Sequence, residues 1–185
     1  DAAASKIILS LCQISKVEGI PNTCRSHFLP SLEKLFQNGS PDFQSQGKQL
    51  LQQLKQLVDL LIQSKQLPDG IEWEDERTIA TLKIMEFLKI AQQPEPYIAY
   101  IHQLSVQHEN ANRLVESGLT LLLHANLLSW SNKQIPSQLS FPEQTEAKRK
   151  ESLYLKAISY FDEAKEYERA IELLKELIHH YEVTA

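Results

Sequence analysis

The sequence contains little of what β-proteins and disulfide-rich proteins need. Its 185 residues include only five glycines and eight prolines, which argues against an all-β fold with its many tight turns. Cys12 and Cys24 are its only cysteines, and they form neither a CxxC pair nor a zinc-ligand pattern. We expect two reduced thiols in a cytosolic protein, with a disulfide between them as the alternative.

Three further absences exclude classes of function. No apolar run approaches the ~20 residues that span a bilayer, so membrane insertion is not expected. A net charge of −5 repels phosphate backbones and argues against nucleic-acid binding. The chain begins Asp1-Ala2-Ala3-Ala4, with no initiator methionine and no signal-peptide pattern, so we expect an excised fragment.

No group of residues has the pattern of an active site. The HExxH, GxSxG, P-loop and GxGxxG motifs are all absent. His102 and His108 lie six positions apart, on different faces of a helix, while His179 and His180 diverge by about 100°. We therefore predict no catalytic residue, no cofactor-binding residue, no metal ligand and no enzymatic activity. The basic triplet Lys148-Arg149-Lys150, which acidic residues surround, is predicted to be the solvated start of a helix.

Apolar residues three and four positions apart predict helices along most of the chain. The longest is expected from about Asp42 to Ser64, where leucines form a narrow stripe and glutamines a polar face. We favour a solvated glutamine face over an aggregation-prone segment. Other helices are predicted around residues 7–14, 28–36, 79–88, 97–108, 112–130, 153–161 and 170–181, with Pro30 starting or kinking the second helix.

An acidic run extends from Asp69 to Glu76. One interpretation is a site for a metal ion or a basic partner. The run lacks the alternating oxygen ligands of a calcium loop. We therefore favour the N-terminus of the following helix, because the helix dipole stabilises negative charge there.

The second half of the chain has features that predict close helix packing. The helix expected from about Asn112 to Trp130 is apolar nearly all round, so neighbours must cover it on more than one side. Gly118 costs it ~1 kcal/mol of helix propensity, which predicts close approach of a neighbouring helix. Residues 131–142 are predicted to form a polar linker. The short connection Glu163-Ala164-Lys165-Glu166 predicts that the last two helices are antiparallel. The predicted fold is all-α, with about eight helices in antiparallel hairpins stacked as a repeat-like array.

Seven segments keep an order and spacing that a known family shares: Tyr97 to Leu104, Glu116 to His124, Leu127 to Trp130, Lys150 to Tyr154, Tyr160 to Asp162, Tyr167 to Ile171 and Lys175 to Leu177. From about Glu76 to Glu182 the chain resembles the first helical lobe of the exchange domain of Dock-family proteins. Residues 1–65 carry no recognised motif, and by position they resemble the armadillo-like helices that precede this lobe. The expected domains are residues 1–65, an acidic linker at 66–76 and the helical support lobe at 77–185.

The resemblance implies a fragment of a guanine nucleotide exchange factor for Rac/Rho-family GTPases. In that family the lobes that bind the GTPase and release nucleotide, and the main dimer contacts, lie beyond the position of Ala185. The fragment would therefore pack against and stabilise its own catalytic lobes. The Rac/Rho GTPase and an Elmo-type adaptor would bind other parts of the parent protein. That parent is expected to be cytoplasmic, recruited to membranes through other domains, and to act on the actin cytoskeleton.

The sequence departs from the family pattern at one turn, and its helical hairpins also allow a second interpretation. The family usually has glycine and often tryptophan near the turn where this chain has Glu163-Ala164 and Tyr167, so this turn is expected to be built differently. The helical-hairpin pattern alone also fits a free-standing helical-repeat adaptor that binds a peptide in a groove. Residues 164–177 look like half of a tetratricopeptide repeat, but its landmarks do not recur at a 34-residue period.

Overall fold

The computed structural model describes residues 2–15, 17 and 19–184. Helices dominate these residues, and two strands of two residues each are the only β-strands among them. The predicted all-α fold class is confirmed. The chain divides into two compact units, Asp1–Tyr97 and Ile98–Ala185, which we describe separately. Every helix in the described part of the chain is too short or too polar to cross a bilayer.

The first unit contains a continuous helical run with an irregular centre. The N–H of Leu29 bonds to the carbonyl of Cys24, five residues back, which makes a π-helical turn. Pro30 follows in the first turn of α3 and starts that helix. With this run counted as one helix, the described residues hold eight helices. The elements of this unit are α1 (Ala2–Ile14), α2 (Ile20–Thr23), the π-turn (Cys24–Phe28), α3 (Leu29–Gln37), α4 (Pro41–Lys65), a 3₁₀ turn (Ile71–Trp73), α5 (Glu74–Ile90) and the start of α6 (Pro94–Asn110).

Helix α4 is the centre of the first unit. Its first turn is capped by Ser40, whose hydroxyl accepts the N–H of Phe43. The buried stripe is wider than the predicted seam of single leucines, because Val58 and Ile62 are buried beside it. The following helix α5 begins at Glu74, so the acidic run ends inside a helical first turn. This placement confirms the interpretation as a helix N-terminus for Glu74, Asp75 and Glu76, whereas Asp69 and Glu72 lie before the helix.

The second unit packs its helices around α8. Leu121, Leu153, Ala157 and Phe161 are at most 1% exposed and form its centre. The Glu163-Ala164-Lys165-Glu166 connection joins α8 to α9 as predicted. The elements of this unit, after the body of α6, are α7 (Leu114–Ala125), β1 (Gln134–Ile135), β2 (Gln144–Thr145), α8 (Glu146–Glu163) and α9 (Tyr167–Thr184).

Two predictions about residues 112–145 were wrong. Helix α7 ends at Ala125, five residues before Trp130, because Leu127 and Leu128 bond to carbonyls only three residues back and the helix unwinds. The segment predicted as a polar linker, residues 131–142, contains β1, which pairs with β2 just after it to form a small antiparallel hairpin. Its two-residue strands are too short to show the alternation that marks a strand in sequence.

Helix α7 is covered on two sides, as its all-round apolar pattern predicts. Toward α6, the Ser117 hydroxyl donates to the carbonyl of Ser105 at 2.9 Å, and the two hydroxyls lie 2.9 Å apart. Toward α8, a Cβ at Gly118 would lie 2.7 Å from Cε1 of Phe161. The prediction that Gly118 admits a close neighbour is confirmed.

Three connections between helices use non-glycine residues in a conformation that usually favours glycine. Gln92, Asn112 and Lys165 adopt left-handed conformations, with φ of 54°, 58° and 63°. At each of these helix ends the N–H of the next residue bonds to a carbonyl five positions back, which is the Schellman arrangement. Non-glycine residues therefore close three of the helix ends, at a cost of ~1 kcal/mol each relative to glycine.

Candidate functional site

The C-terminal helix α9 has an apolar arc wider than the core that it covers. With 3.6 residues per turn, the apolar side chains of residues 167–181 span about 160° of the helix circumference. Ala170 and Leu177, on one half of the arc, are 5% and 2% exposed and pack in the core. The other half is 40–54% exposed, and we call it the α9 stripe: Tyr167, Ile171, Leu174, Ile178 and Tyr181.

The α9 stripe has the spacing of a helix–helix seam. Its residues alternate steps of four and three, which keeps them in one row along ~21 Å of helix. Charged and polar residues occupy the rest of the circumference, among them Glu168, Glu172 and Lys175. An exposed apolar row that is bordered by the buried core on one side and by polar residues on the other is typical of a surface that packs along another protein element.

A hydrogen-bonded network around Glu176 fixes the rotation of α9. Its Oε1 accepts the indole N–H of Trp130 at 2.8 Å, and its Oε2 accepts the hydroxyl of Tyr154 at 2.9 Å. Nζ of Lys150 lies 3.4 Å from Oε1 and 4.9 Å from the centre of the Trp130 ring. Partial burial acts to raise the pKa of Glu176, but these donors outweigh it and lower the pKa. The network therefore determines which half of the apolar arc is exposed.

The hairpin after α7 is held by a buried arginine. Arg149 on α8 is 2% exposed, and its Nη2 donates to the carbonyls of Pro136 and Pro142 at 2.8 and 3.0 Å. Its guanidinium carbon also lies 5.4 Å from the centre of the Phe141 ring. The prediction that Lys148-Arg149-Lys150 is solvated was wrong for Arg149 and Lys150. A buried cation needs polar partners. The two proline carbonyls of the hairpin provide them for Arg149, and the Glu176 carboxylate of α9 provides one for Lys150.

Phe141 covers a pair of histidines that the sequence did not reveal. Nε2 of His102 on α6 lies 2.9 Å from Nδ1 of His124 on α7, and both rings meet Phe141 edge to face. Nε2 of His124 has no hydrogen-bond partner among the described residues. Burial, together with nearby Lys156 for His102 and with His102 and Arg149 for His124, lowers the pKa of each to about 4. Both imidazoles are therefore neutral near pH 7.

This histidine pair makes the second unit sensitive to acid. The unfolded chain binds protons at both histidines as the pH falls below 6.5, whereas the folded chain binds them only near pH 4. The contribution of this pair to stability is therefore fully present above pH 6.5 and is lost as the pH falls from 6.5 to 4. We expect the melting temperature of unit 2 to fall across this window, and the fall to be smaller in His102→Gln/His124→Gln.

The exposed residue His179 on α9 offers the control for this prediction, because it is a histidine of the same unit outside the pair. His179→Gln removes a histidine of this unit and leaves the pair in place, so the double variant is compared with this variant as well as with the parent. Equal slopes of melting temperature against pH in the parent and in the double variant would show that the buried pair does not cause the effect.

The structure adds little chemistry to the sites considered from the sequence. Cys12 and Cys24 are buried free thiols, and burial raises the pKa of Cys12 to about 12, which makes it a poor nucleophile at neutral pH. The residues that the structure describes contain no cluster of three or more histidine, cysteine, aspartate or glutamate side chains able to hold a metal. The absence of catalytic residues stays a prediction.

These features define a class: a helical protein in which the last helix, α9, covers a buried core with one half of its apolar arc and exposes the other half. A model of the family described as DHR-2, Lobe A matches residues 81–185. Dedicator of cytokinesis protein 3 of Mus musculus is 35% identical over 137 residues, and dedicator of cytokinesis protein 4 of Mus musculus is 32% identical over 154 residues. DOCK-like protein 1 of Saccharomyces cerevisiae is 29% identical over 119 residues.

The chain belongs to the DHR-2 lobe A family of the Dock proteins, and the resemblance drawn from the sequence is confirmed. The alignments cover 74%, 83% and 63% of this chain, but only 7%, 8% and 6% of these relatives. The chain thus spans less than a tenth of the length of the relatives that it matches. The predicted domain boundaries at residues 65 and 77 stay predictions.

Proposed function

We propose that this chain is the helical support lobe of a Dock-type guanine nucleotide exchange factor for Rac/Rho-family GTPases. The match of residues 81–185 to the DHR-2 lobe A family carries the proposal. The GTPase and an Elmo-type adaptor bind other parts of the parent protein. The parent is a cytoplasmic protein that other domains recruit to membranes.

The α9 stripe is the surface on which the catalytic lobes of the same parent pack. Its five apolar residues are exposed although the other half of the same arc is buried, and monomeric proteins rarely expose a continuous apolar row of this length. The relatives are more than ten times longer than the matched region, so they contain ample chain to cover it. Burial of five large apolar side chains would contribute ~1 kcal/mol or more each, since each is now about half exposed.

The proposal is tested by the rate of nucleotide release from a Rac-type GTPase loaded with fluorescent GDP. We expect the 185-residue chain alone to leave the spontaneous rate unchanged, because the proposal assigns the GTPase contact to other parts of the parent protein. A protein extended beyond Ala185 through the lobes that follow is expected to accelerate release. A Ras-type GTPase, which the proposed specificity excludes, serves as the control. Release by the short chain at the rate of the extended protein would refute the support role.

A further inference from the structure

Helix α9 has a second rotation that would pack on the core, turned by about 100° so that each residue takes the place of the one before it. Ile178 would then replace the buried Leu177, and Leu174 would replace Leu173. These exchanges are between isomeric or identical side chains, so they bury equal apolar surface. Apolar contacts along this part of α9 therefore do not distinguish between the two rotations.

The start of α9 distinguishes the two rotations only weakly. Ala170 packs against Ala157 and Phe161 in a buried cluster, and the turned helix would place Ile171 there. Isoleucine is larger than alanine, so this end of α9 would have to move outward from α8. The turned helix would also cover more apolar surface, which has the opposite effect on stability. The polar contacts further along α9 therefore decide its rotation.

The carboxylate of Glu176 makes contacts that exist only in the observed rotation. Glu176 lies about 160° around the helix from Leu174 and from Ile178, which belong to the α9 stripe. Its two oxygens accept the indole N–H of Trp130 and the hydroxyl of Tyr154. In the turned helix the next residue, a leucine, would face these donors and leave both without their acceptor. A lost partner of this kind costs more than the hydrogen bond itself contributes.

Two further contacts hold the same face of α9. The ring of Trp130 stacks on that of His180, one turn after Glu176, with 4.4 Å between the ring centres and 19° between the planes. The side chain of Lys150 is 11% exposed, and its Nζ lies 3.4 Å from Glu176. A buried ammonium group that loses its carboxylate is strongly destabilising. We call Trp130, Lys150, Tyr154 and Glu176 the Glu176 network, and all of its contacts favour the rotation that exposes the α9 stripe.

We propose that the Glu176 network positions the α9 stripe for nucleotide exchange, by preventing α9 from turning the stripe onto its own core. The inference rests on the proposed function, since it takes the stripe as the surface on which the catalytic lobes pack. The four residues of the network lie outside the stripe. They act through α9 and are therefore positioning residues, not catalytic ones.

The rotation of α9 is measured in the 185-residue chain by the rate at which iodoacetamide labels a single thiol. The thiol is Ile178→Cys, in a background of Cys12→Ala and Cys24→Ala. We expect Glu176→Ala to slow labelling at least about fivefold, which corresponds to roughly four-fifths of the molecules with this position covered. Glu172→Cys is the control, because the turned helix would bring it only to the half-exposed place of the next stripe residue. Its labelling rate is expected to stay unchanged.

The effect on function is measured in the protein extended beyond Ala185 through the catalytic lobes, with a Rac-type GTPase that carries fluorescent GDP. We expect Glu176→Ala to slow nucleotide release at least about tenfold. Glu176→Gln keeps an oxygen that accepts the indole N–H, so it is expected to restore most of the rate. Ser117→Ala controls for lost stability, because it removes a buried hydrogen bond between α6 and α7 and leaves α9 unchanged. It is expected to release nucleotide at the parental rate.

Three results would overturn the proposal. Unchanged labelling of Ile178→Cys in the Glu176→Ala chain would show that the network does not set the rotation of α9. Equal slowing of release by Glu176→Ala and Ser117→Ala would show a general loss of stability. Parental release by Glu176→Ala would show that the network does not position the stripe.

The double change Ile171→Asp/Ile178→Asp, in the same release assay, separates this inference from the proposed function. If the double change slows release and Glu176→Ala does not, the stripe supports the lobes and the network has no positioning role. If neither slows release, the proposed function fails and the positioning role fails with it.

Discussion

Leu121→Asp is expected to unfold the second unit. Leu121 is 1% exposed at the centre of α7 and packs in the cluster that contains Leu153, Tyr154 and Leu177. A carboxylate placed there would lose its hydration without gaining a partner, which costs at least ~4 kcal/mol on top of the lost apolar contact. This penalty is comparable with the whole stability of a small domain.

The unfolding of the second unit can be followed by the fluorescence of Trp130 in a Trp73→Phe background. Trp73→Phe leaves Trp130 as the one tryptophan of the sequence, and Trp130 lies in unit 2. Leu119→Asp is the matched control: Leu119 lies on the same helix but is 37% exposed, so a cooperative transition should remain. A melting curve of Leu121→Asp that overlays the parent would show that α7 is not central to the unit.

Arg149→Met is expected to release the hairpin from α8 and to destabilise the second unit by about 3 kcal/mol. The substitution removes the two hydrogen bonds from Arg149 to the carbonyls of Pro136 and Pro142. Both carbonyls then need water as a hydrogen-bond donor. It also removes the guanidinium from the face of Phe141. Arg149→Lys is expected to behave similarly, because an ammonium cannot reproduce the planar fork that reaches both carbonyls.

Hydrogen exchange of the hairpin amides measures this release. The N–H groups of Gln138 and Phe141, which bond to each other's carbonyls, should lose protection in Arg149→Met. Lys148, the exposed neighbour of Arg149, gives the control, and Lys148→Met should leave protection unchanged. Unchanged protection of these amides in Arg149→Met would show that the hairpin stays packed on α8 without Arg149.

Local patterns in the sequence predicted most of the helices. Three-and-four periodicity located the long helix α4, and the short Glu163–Glu166 connection predicted the antiparallel pair α8 and α9. Gly118 predicted a close neighbour because a glycine inside an apolar helix loses stability unless something approaches it. Each of these predictions depends on residues within a few turns of one another.

The features that sequence reasoning missed depend on contacts between distant residues. His102 and His124 meet across two helices, 22 positions apart, and no single-helix periodicity shows that contact. The burial of Arg149 depends on hairpin carbonyls 13 and 7 residues earlier in the chain. Likewise, the sequence shows the whole apolar arc of α9, but only packing shows which half is covered.

The central claim is that the catalytic lobes pack on the α9 stripe. The most direct test is the exchange rate of a protein that is extended beyond Ala185 to include those lobes. We expect Ile171→Asp/Ile178→Asp to slow nucleotide release from a Rac-type GTPase at least about tenfold, since the lobes lose their support. The same double change should leave the 185-residue chain folded with a cooperative melting transition, because both residues are about half exposed. Glu172→Lys, on the polar face of α9, controls for altered charge. An extended double variant that releases nucleotide at the parental rate would contradict the account.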